Sequence, residues 1–179
     1  RATALNHLEK IVVADIVCLV LLIGVELLRA LRCAAQNRIL RKKIYLDEST
    51  GLPNKNKCEE ILSDPTPLGE EESTAICVFD LNNLRIINNN LGHDKGDEYI
   101  RSFAEQLRLA VDPENFVGRD GGDEFIAIFQ KTDHAKMRET LKKIRTQMEN
   151  YSAKHPEMPI SYAAGYAISL DFAGSTLRD

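Results

Sequence analysis

The sequence predicts an α+β fold of ferredoxin-like order, βαββαβ, preceded by a long N-terminal helix. Three observations support this prediction. β-prone apolar runs occur at residues 74–80, 116–130 and 160–169, helical periodicity fills the stretches between them, and two adjacent glycines interrupt the middle run. A run interrupted in this way is typical of a hairpin, and strand, helix, hairpin, helix and strand is the chain order of this fold.

Residues 1–46 are predicted to form one helix with an apolar part and a polar part. Residues 11–28 are apolar except for Asp15 and Glu26, and eighteen residues are close to the shortest helix that spans a bilayer. More Arg and Lys follow this stretch than precede it, which by the positive-inside rule places the rest of the chain in the cytoplasm. We therefore expect an inner-membrane span, with a soluble dimerising helix as the alternative. The polar part is predicted to turn four apolar residues toward a partner: Ile39, Leu40, Ile44 and Leu46.

Residues 47–179 have the size of one ordinary domain. We predict helices at residues 55–62, 83–90, 96–111 and 134–151, and an acidic loop with prolines at residues 64–73. The net charge of −4 argues against a nucleic-acid-binding protein, because affinity for a phosphate backbone needs a basic surface. Four cysteines without metal-type spacing are expected to be buried thiols in a reducing compartment: Cys18, Cys33, Cys58 and Cys77.

Acidic residues stand at the ends of two predicted strands. The strand at residues 74–80 ends on Asp80, and the hairpin turn carries Asp123 and Glu124 directly after Gly121 and Gly122. Glycines let a backbone approach a ligand closely, and carboxylates from separate strands suit a hard divalent cation bound with a phosphate. A plain turn with solvated acids is the alternative. In the turn-rich segment 88–97, Asp97 could likewise serve only as a helix cap.

Together these segments resemble the GGDEF domain of diguanylate cyclases. The resemblance rests on four motifs in the right order, at residues 47–55, 79–88, 92–97 and 121–125. It implies a fold of the nucleotide-cyclase and polymerase-palm type from about Asp47 onward. It also implies a closing C-terminal helix, before which the printed sequence ends, and the absence of an initial Met leads us to expect preceding residues.

The resemblance implies an enzyme that condenses two GTP molecules, one on each domain of a homodimer, to cyclic di-GMP and pyrophosphate. It implies two Mg²⁺ ions per active site, replaceable by Mn²⁺, held by Asp80, the Leu81 carbonyl, Asp123 and Glu124. Asp123 and Glu124 are then also the catalytic residues, with Glu124 helping to activate the 3′-hydroxyl. Five residues match substrate-binding positions: Asn88 and Asp97 for guanine, Gly121 and Gly122 against the nucleotide, and Arg85.

One departure from the family pattern concerns product inhibition. The family's Arg-x-x-Asp motif aligns with residues 112–115, where Asp112 stands in place of the Arg. An aspartate cannot bind a phosphate with a bidentate fork as arginine does. The alternatives to a cyclase are a catalytically silent receptor for GTP or cyclic di-GMP, and a dimerisation module of a membrane sensor.

Overall fold

The structure, a computed structural model, describes residues 2–63, 73–172 and 176–177, with the side chains of residues 2–17, 38, 39 and 41 excepted. The chain divides into two compact units, and the boundary in the sequence lies between Lys42 and Lys43. Helix α1, Ala2–Tyr45, contributes most of its length to the first unit. Of the predicted acidic loop at residues 64–73, residues 64–72 lie outside the described part of the chain.

The large apolar side chains of α1 between residues 19 and 31 are exposed, from 46% at Val25 to 65% at Leu21. Within the described part of the chain, no helix is both long and apolar enough to cross a bilayer. The predicted span at residues 11–28 includes residues 11–17, whose side chains lie outside the description. A membrane-spanning helix therefore stays a prediction.

The second unit contains the predicted sequence of helices and strands. After α1 the elements are α2 Lys55–Leu62, β1 Thr74–Leu81, α3 Leu84–Leu91, α4 His93–Ala110, β2 Phe116–Arg119, β3 Glu124–Gln130, α5 His134–Lys154 and β4 Tyr162–Ile168, followed by a 3₁₀ turn, Ser169–Asp171. The four strands form one sheet in the order β2-β3-β1-β4. Strand β1 pairs antiparallel with both β3 and β4, which confirms the predicted α+β, ferredoxin-like fold.

The core lies between the sheet and helices α4 and α5. Alternate residues of β1 are buried, including Phe79 and Leu81, as a half-buried strand requires. Phe103 of α4 packs edge-on against Phe79 and Phe125, with ring centroids 6.2 and 4.9 Å apart. The predicted stripe of α4 is confirmed, because Ile100, Phe103 and Leu107 are all buried.

Helix α4 begins at His93 rather than at residue 96 as predicted. Gly92 adopts a positive φ of 88° between α3 and α4, and it occupies the N-cap position of α4. The turn-forming residues of segment 88–97 therefore make one sharp turn at Gly92, and α4 begins at the next residue. Asp97 lies inside α4, so the alternative of Asp97 as the helix cap is wrong.

Two of the four cysteine predictions are wrong. Cys58 and Cys77 are buried, and burial raises the pKa of the Cys77 thiol to about 12, whereas Cys18 and Cys33 of α1 are exposed. Cys18 and Cys33 lie in an apolar pattern on α1, and among the described residues no other element of the same unit packs over this helix. Hydrophobic periodicity shows which residues could be buried, and tertiary contacts decide whether they are.

Candidate functional site

The predicted acids of the two strands meet at one end of the sheet. Asp80 and Glu124 are direct partners across the antiparallel β1–β3 pair, and the Leu81 N–H donates to the Asp123 carbonyl at 2.9 Å. Residues directly opposite in such a pair point to the same face, with their Cβ atoms about 5 Å apart. The structure therefore brings Asp80 beside Asp123 and Glu124, although Asp80 lies more than forty positions before them in the sequence.

Gly121 and Gly122 serve different purposes in the turn between β2 and β3. A Cβ atom on Gly121 would lie 2.9 Å from Glu124 Oε2, so the absence of a side chain there leaves room for the Glu124 carboxylate. A Cβ atom on Gly122 would meet nothing within 4 Å. The Asp120 and Gly121 N–H groups both donate to the Glu124 carbonyl, at 2.9 and 3.2 Å, which closes the turn. Gly122 is thus an open surface that a ligand can approach closely.

The donor atoms at this end of the sheet fit a magnesium ion chemically. Carboxylate and carbonyl oxygens are the protein ligands that Mg²⁺ prefers, and none of the three acids forms an ion pair with another described residue. Asp80 and Glu124 are exposed and Asp123 is half-buried, so their side chains have room to turn toward a cation. As placed, no three His, Cys, Asp or Glu side chains in the described part of the chain form a metal-binding group. The assignment of Asp80, Leu81, Asp123 and Glu124 as metal ligands stays a prediction.

The two residues predicted to bind guanine lie on neighbouring helices. Asn88 of α3 rests against Gly96 of α4, and a Cβ atom on Gly96 would lie only 1.9 Å from Asn88 Oδ1. Asp97 follows Gly96 directly and is exposed, as is Arg85 one turn before Asn88 on α3. The glycine therefore lets the Asn88 amide lie against α4 beside the backbone of Gly96. The assignment of Asn88, Asp97 and Arg85 to the substrate stays a prediction.

Arg119 is a central residue of this region that the sequence analysis did not single out. Its guanidinium donates to the Gly121 carbonyl at 3.1 Å and to the Gly122 carbonyl at 2.8 Å. It also donates to Asp47 Oδ1 at 3.0 Å and to Ser49 Oγ at 2.8 Å. Arg119 thereby joins the glycine turn to the segment that opens the domain. The available signal was a basic residue directly before the turn, together with an acidic residue in a motif of turn formers.

Asp47 is held in its charged form by a set of short hydrogen bonds. It accepts from the Thr50 hydroxyl at 2.7 Å, the Thr50 N–H at 2.9 Å and the Ser49 hydroxyl at 3.0 Å. Burial is the largest single influence and opposes the charge, but the bonds from Thr50, Ser49 and Arg119 outweigh it and lower the pKa of Asp47. Asp47 is therefore an anion that organises the loop around Arg119.

Surface clefts give little further indication of the site. A cleft of about 340 Å³ runs beside the hairpin and is lined by Asp47, Asn54, Lys55, Asn56, Arg119, Asp120 and Gly121. A larger one of about 550 Å³ lies beside α5 and the start of β4, and none of the predicted site residues lines it. The strand register, rather than cleft size, locates the acids.

Comparison with known proteins gives three kinds of match. The family profile described as "Diguanylate cyclase, GGDEF domain" matches residues 44–177. Cyclic di-GMP phosphodiesterase PdeB of Shewanella oneidensis is 29% identical over 96% of this chain and 18% of its own length. Diguanylate cyclase DgcP of Escherichia coli is 30% identical over 63% of this chain and 33% of its own length. The chain thus spans a third or less of these relatives.

Among solved structures, the coiled coil and GGDEF domain of DgcB from Caulobacter crescentus, in complex with c-di-GMP, superposes with a TM-score of 0.73. The alignment covers 87% of this chain and 84% of that chain, at 21% sequence identity. At this level of identity the likeness concerns the fold.

Proposed function

Since the chain belongs to the GGDEF diguanylate cyclase domain family, we propose that it condenses two GTP molecules to cyclic di-GMP and pyrophosphate. The observation that carries this proposal is the β1–β3 register, which pairs Asp80 with Glu124 and bonds Leu81 to Asp123. If the hairpin were a plain turn with solvated acids, there would be no reason for Asp80, near the end of β1, to lie beside it. The convergence of acids from two strands supports a site for a divalent cation and a triphosphate.

Within this proposal the acids have distinct roles. Asp80, Asp123 and Glu124, with the Leu81 carbonyl, would hold two Mg²⁺ ions. When bound, these ions would lower the pKa of the attacking 3′-hydroxyl and stabilise charge on the leaving oxygen. Glu124, at the start of β3, is assigned to help activate the 3′-hydroxyl. The open surface at Gly122 accommodates the nucleotide against the hairpin.

Base selection is assigned to Asn88 and Asp97. An amide can donate to guanine O6, and a carboxylate can accept from the guanine N1–H and amino groups. Adenine has an acceptor at N1 and no amino group at C2, so it would leave the Asp97 carboxylate without a donor, which costs more than a lost contact. Arg85, exposed one turn before Asn88, is assigned to the substrate as a cation for its phosphates.

The reaction requires two GTP molecules facing each other, so we propose a homodimer in which each domain supplies one. The exposed positions of Asp80, Glu124 and Gly122 support this arrangement, because they leave the acidic end of the sheet accessible to a second domain. The domain would then lie in the cytoplasm, where GTP is available.

The test is conversion of GTP to cyclic di-GMP with Mg²⁺ by the wild-type chain and by Asp80→Asn and Asp123→Asn. Both variants should lose Mg²⁺-dependent GTP binding and turnover, because each removes a charge from the same cation site. Glu139→Gln, which removes an exposed acid from α5, is the matched control and should behave as the wild type. Wild-type affinity and turnover in both Asn variants would refute the assignment of the metal site.

A silent receptor for GTP or cyclic di-GMP is the second candidate. It is favoured by the similarity to PdeB, a protein named as a phosphodiesterase, along almost the whole of this chain. A receptor would bind GTP or cyclic di-GMP without forming product. Calorimetry beside the turnover assay separates the two functions, since a receptor gives binding heat and no cyclic di-GMP.

We also propose that α1 associates with the inner membrane. Its exposed apolar side chains between residues 19 and 31 support this, because water disfavours so large an apolar surface. Co-flotation with lipid vesicles is the test, comparing Leu22→Lys with the control Gln36→Lys. A lysine in an apolar span costs about 3 kcal/mol, so only Leu22→Lys should reduce flotation. Equal flotation of both variants would contradict the membrane proposal.

A further inference from the structure

The hydroxyl group of Tyr99 lies at the crossing of three chain segments. Tyr99 belongs to α4 and is fully buried, and its Oη accepts from the Ser161 N–H at 2.9 Å. The same Oη lies 3.2 Å from the Ser161 carbonyl and 3.2 Å from the Asn82 carbonyl, to which it can donate. Burial raises the pKa of Tyr99, so the hydroxyl keeps its proton and remains a donor.

Asn82 and Ser161 are also bonded to each other. The Asn82 N–H donates to the Ser161 carbonyl at 2.9 Å, and Asn82 Nδ2 donates to Ser161 Oγ at 3.2 Å. In a trans peptide the carbonyl of one residue points opposite to the N–H of the next. The bond from the Asn82 N–H therefore fixes the direction of the Leu81 carbonyl, which points away from Ser161.

The turn that follows has no capping side chain of its own. Asn83 has a φ of 66° and a ψ of 5°, the left-handed conformation that asparagine adopts more readily than most residues other than glycine. Its side chain makes no capping bond to α3. The turn leads directly from Asp80 and Leu81 into the helix that carries Arg85 and Asn88, so any shift at residues 82–83 moves both groups.

We propose that Tyr99 is a positioning residue, whose hydroxyl holds the turn after β1 and the Leu81 carbonyl at a fixed place relative to the start of α4. Gly96 and Asp97 lie in the first two turns of α4, three and two residues before Tyr99. The hydroxyl thus links the end of β1 proposed to bind the metal to the part of α4 proposed to bind the base, and a cation bound at one should favour a guanine bound at the other. The inference rests on the proposed function for this consequence, whereas the position of the hydroxyl can be tested without it.

The first experiment is hydrogen exchange of the backbone amides. In the wild-type chain the Ser161 amide should exchange as slowly as those inside β1, and fast exchange there would overturn the inference even if no variant folds. Tyr99→Phe should speed exchange at residues 82–88 and at Ser161 by about tenfold. Tyr151→Phe is the matched control, because its hydroxyl bonds Ser102 of the same helix α4 at 2.8 Å, away from the turn. Unchanged exchange at residues 82–88 in Tyr99→Phe would overturn the inference.

The second experiment measures Mg²⁺-dependent binding of a non-reactive GTP analogue to the same three proteins. Tyr99→Phe should raise the half-saturating Mg²⁺ concentration about three- to tenfold and reduce the preference for guanine over adenine, while Tyr151→Phe changes neither. If the role of Tyr99 were merely structural, both variants would have a lower melting temperature. The half-saturating Mg²⁺ concentration and the preference for guanine would then be the same in both variants. If Tyr99→Phe speeds amide exchange but leaves the Mg²⁺ dependence unchanged, the coupling is contradicted and the proposed function is not. Failure of the wild-type chain to bind the analogue contradicts the proposed function and the coupling together.

Discussion

Arg119 Nη1 lies 3.0 Å from Asp47 Oδ1, in an ion pair between residues at opposite ends of the first half of the domain. The Arg119 side chain is only 15% exposed, and it bonds the Gly121 and Gly122 carbonyls at the same time. The Arg119 N–H also donates to the Pro53 carbonyl at 2.8 Å. The opening segment and the glycine turn therefore form one hydrogen-bonded unit, and a change in either should be felt by the acids beside the turn.

The Arg119 fork can be tested by replacing it with lysine. Arg119→Lys keeps the positive charge but cannot bond two carbonyls and a carboxylate together, so we expect a loss of about 1 to 2 kcal/mol in the free energy of unfolding. We also expect weaker GTP binding, because the turn that carries Asp123 loses its support. Urea unfolding and calorimetry measure the two effects. Arg138→Lys on the exposed face of α5 is the control, and equal behaviour of both variants would contradict the role of the fork.

The charge of Asp47 predicts a dependence of stability on pH. Its pKa is lower in the folded chain than in the unfolded one, so its contribution is fully present above about pH 4 and is lost as the pH falls through the folded value. The stability difference between the wild type and Asp47→Asn should therefore be larger near pH 6 than near pH 3. Urea unfolding at both pH values is the measurement. Thr50→Val, which removes one bond to Asp47, should show a smaller pH effect, and parallel curves for the wild type and Asp47→Asn would rule the interpretation out.

Gly96 should control base selection through Asn88. Gly96→Ala places a Cβ atom 1.9 Å from the present position of Asn88 Oδ1, so the Asn88 side chain must move. Alanine is also the better helix former by about 1 kcal/mol, which offsets part of the steric cost. We expect a chain that stays folded but distinguishes GTP from ATP less well, as measured by competition binding. Gly165→Ala, where the added atom meets nothing within 4 Å, should leave selectivity unchanged. If Gly96→Ala distinguishes GTP from ATP as well as the wild type does, Asn88 has no role in base recognition.

We expect that cyclic di-GMP does not inhibit the chain by binding at the turn before β2. Asp112 and Glu114 are exposed there, and Asn115 Oδ1 is already engaged by the Gln130 N–H at 3.3 Å. Two acids repel the two phosphates of cyclic di-GMP, so noncompetitive inhibition by added product is not expected. Asp112→Arg should strengthen product binding, whereas Glu139→Arg on α5 should not. Noncompetitive inhibition of the wild-type chain that disappears when residues 112–115 are changed would contradict this prediction.

The sequence by itself determined the kinds of elements and their order, because periodicity of burial is a local property. The strand predicted at residues 74–80, which extends to Leu81, the hairpin around Gly121 and the apolar stripe of α4 were predicted from short stretches and are present. The four motifs indicated the family, which the profile match confirms. Element ends were less certain, as at α4, because several turn formers compete to make one break.

Only the tertiary structure decided which distant groups meet. Asp80 opposite Glu124, Arg119 against Asp47, and Tyr99 at Ser161 all join residues far apart along the chain. The same holds for exposure, since Cys58 is buried and Cys33 is not, although both lie in helices. Contacts of this kind depend on the register of strands and the packing of helices, and neither is encoded in any single stretch of sequence.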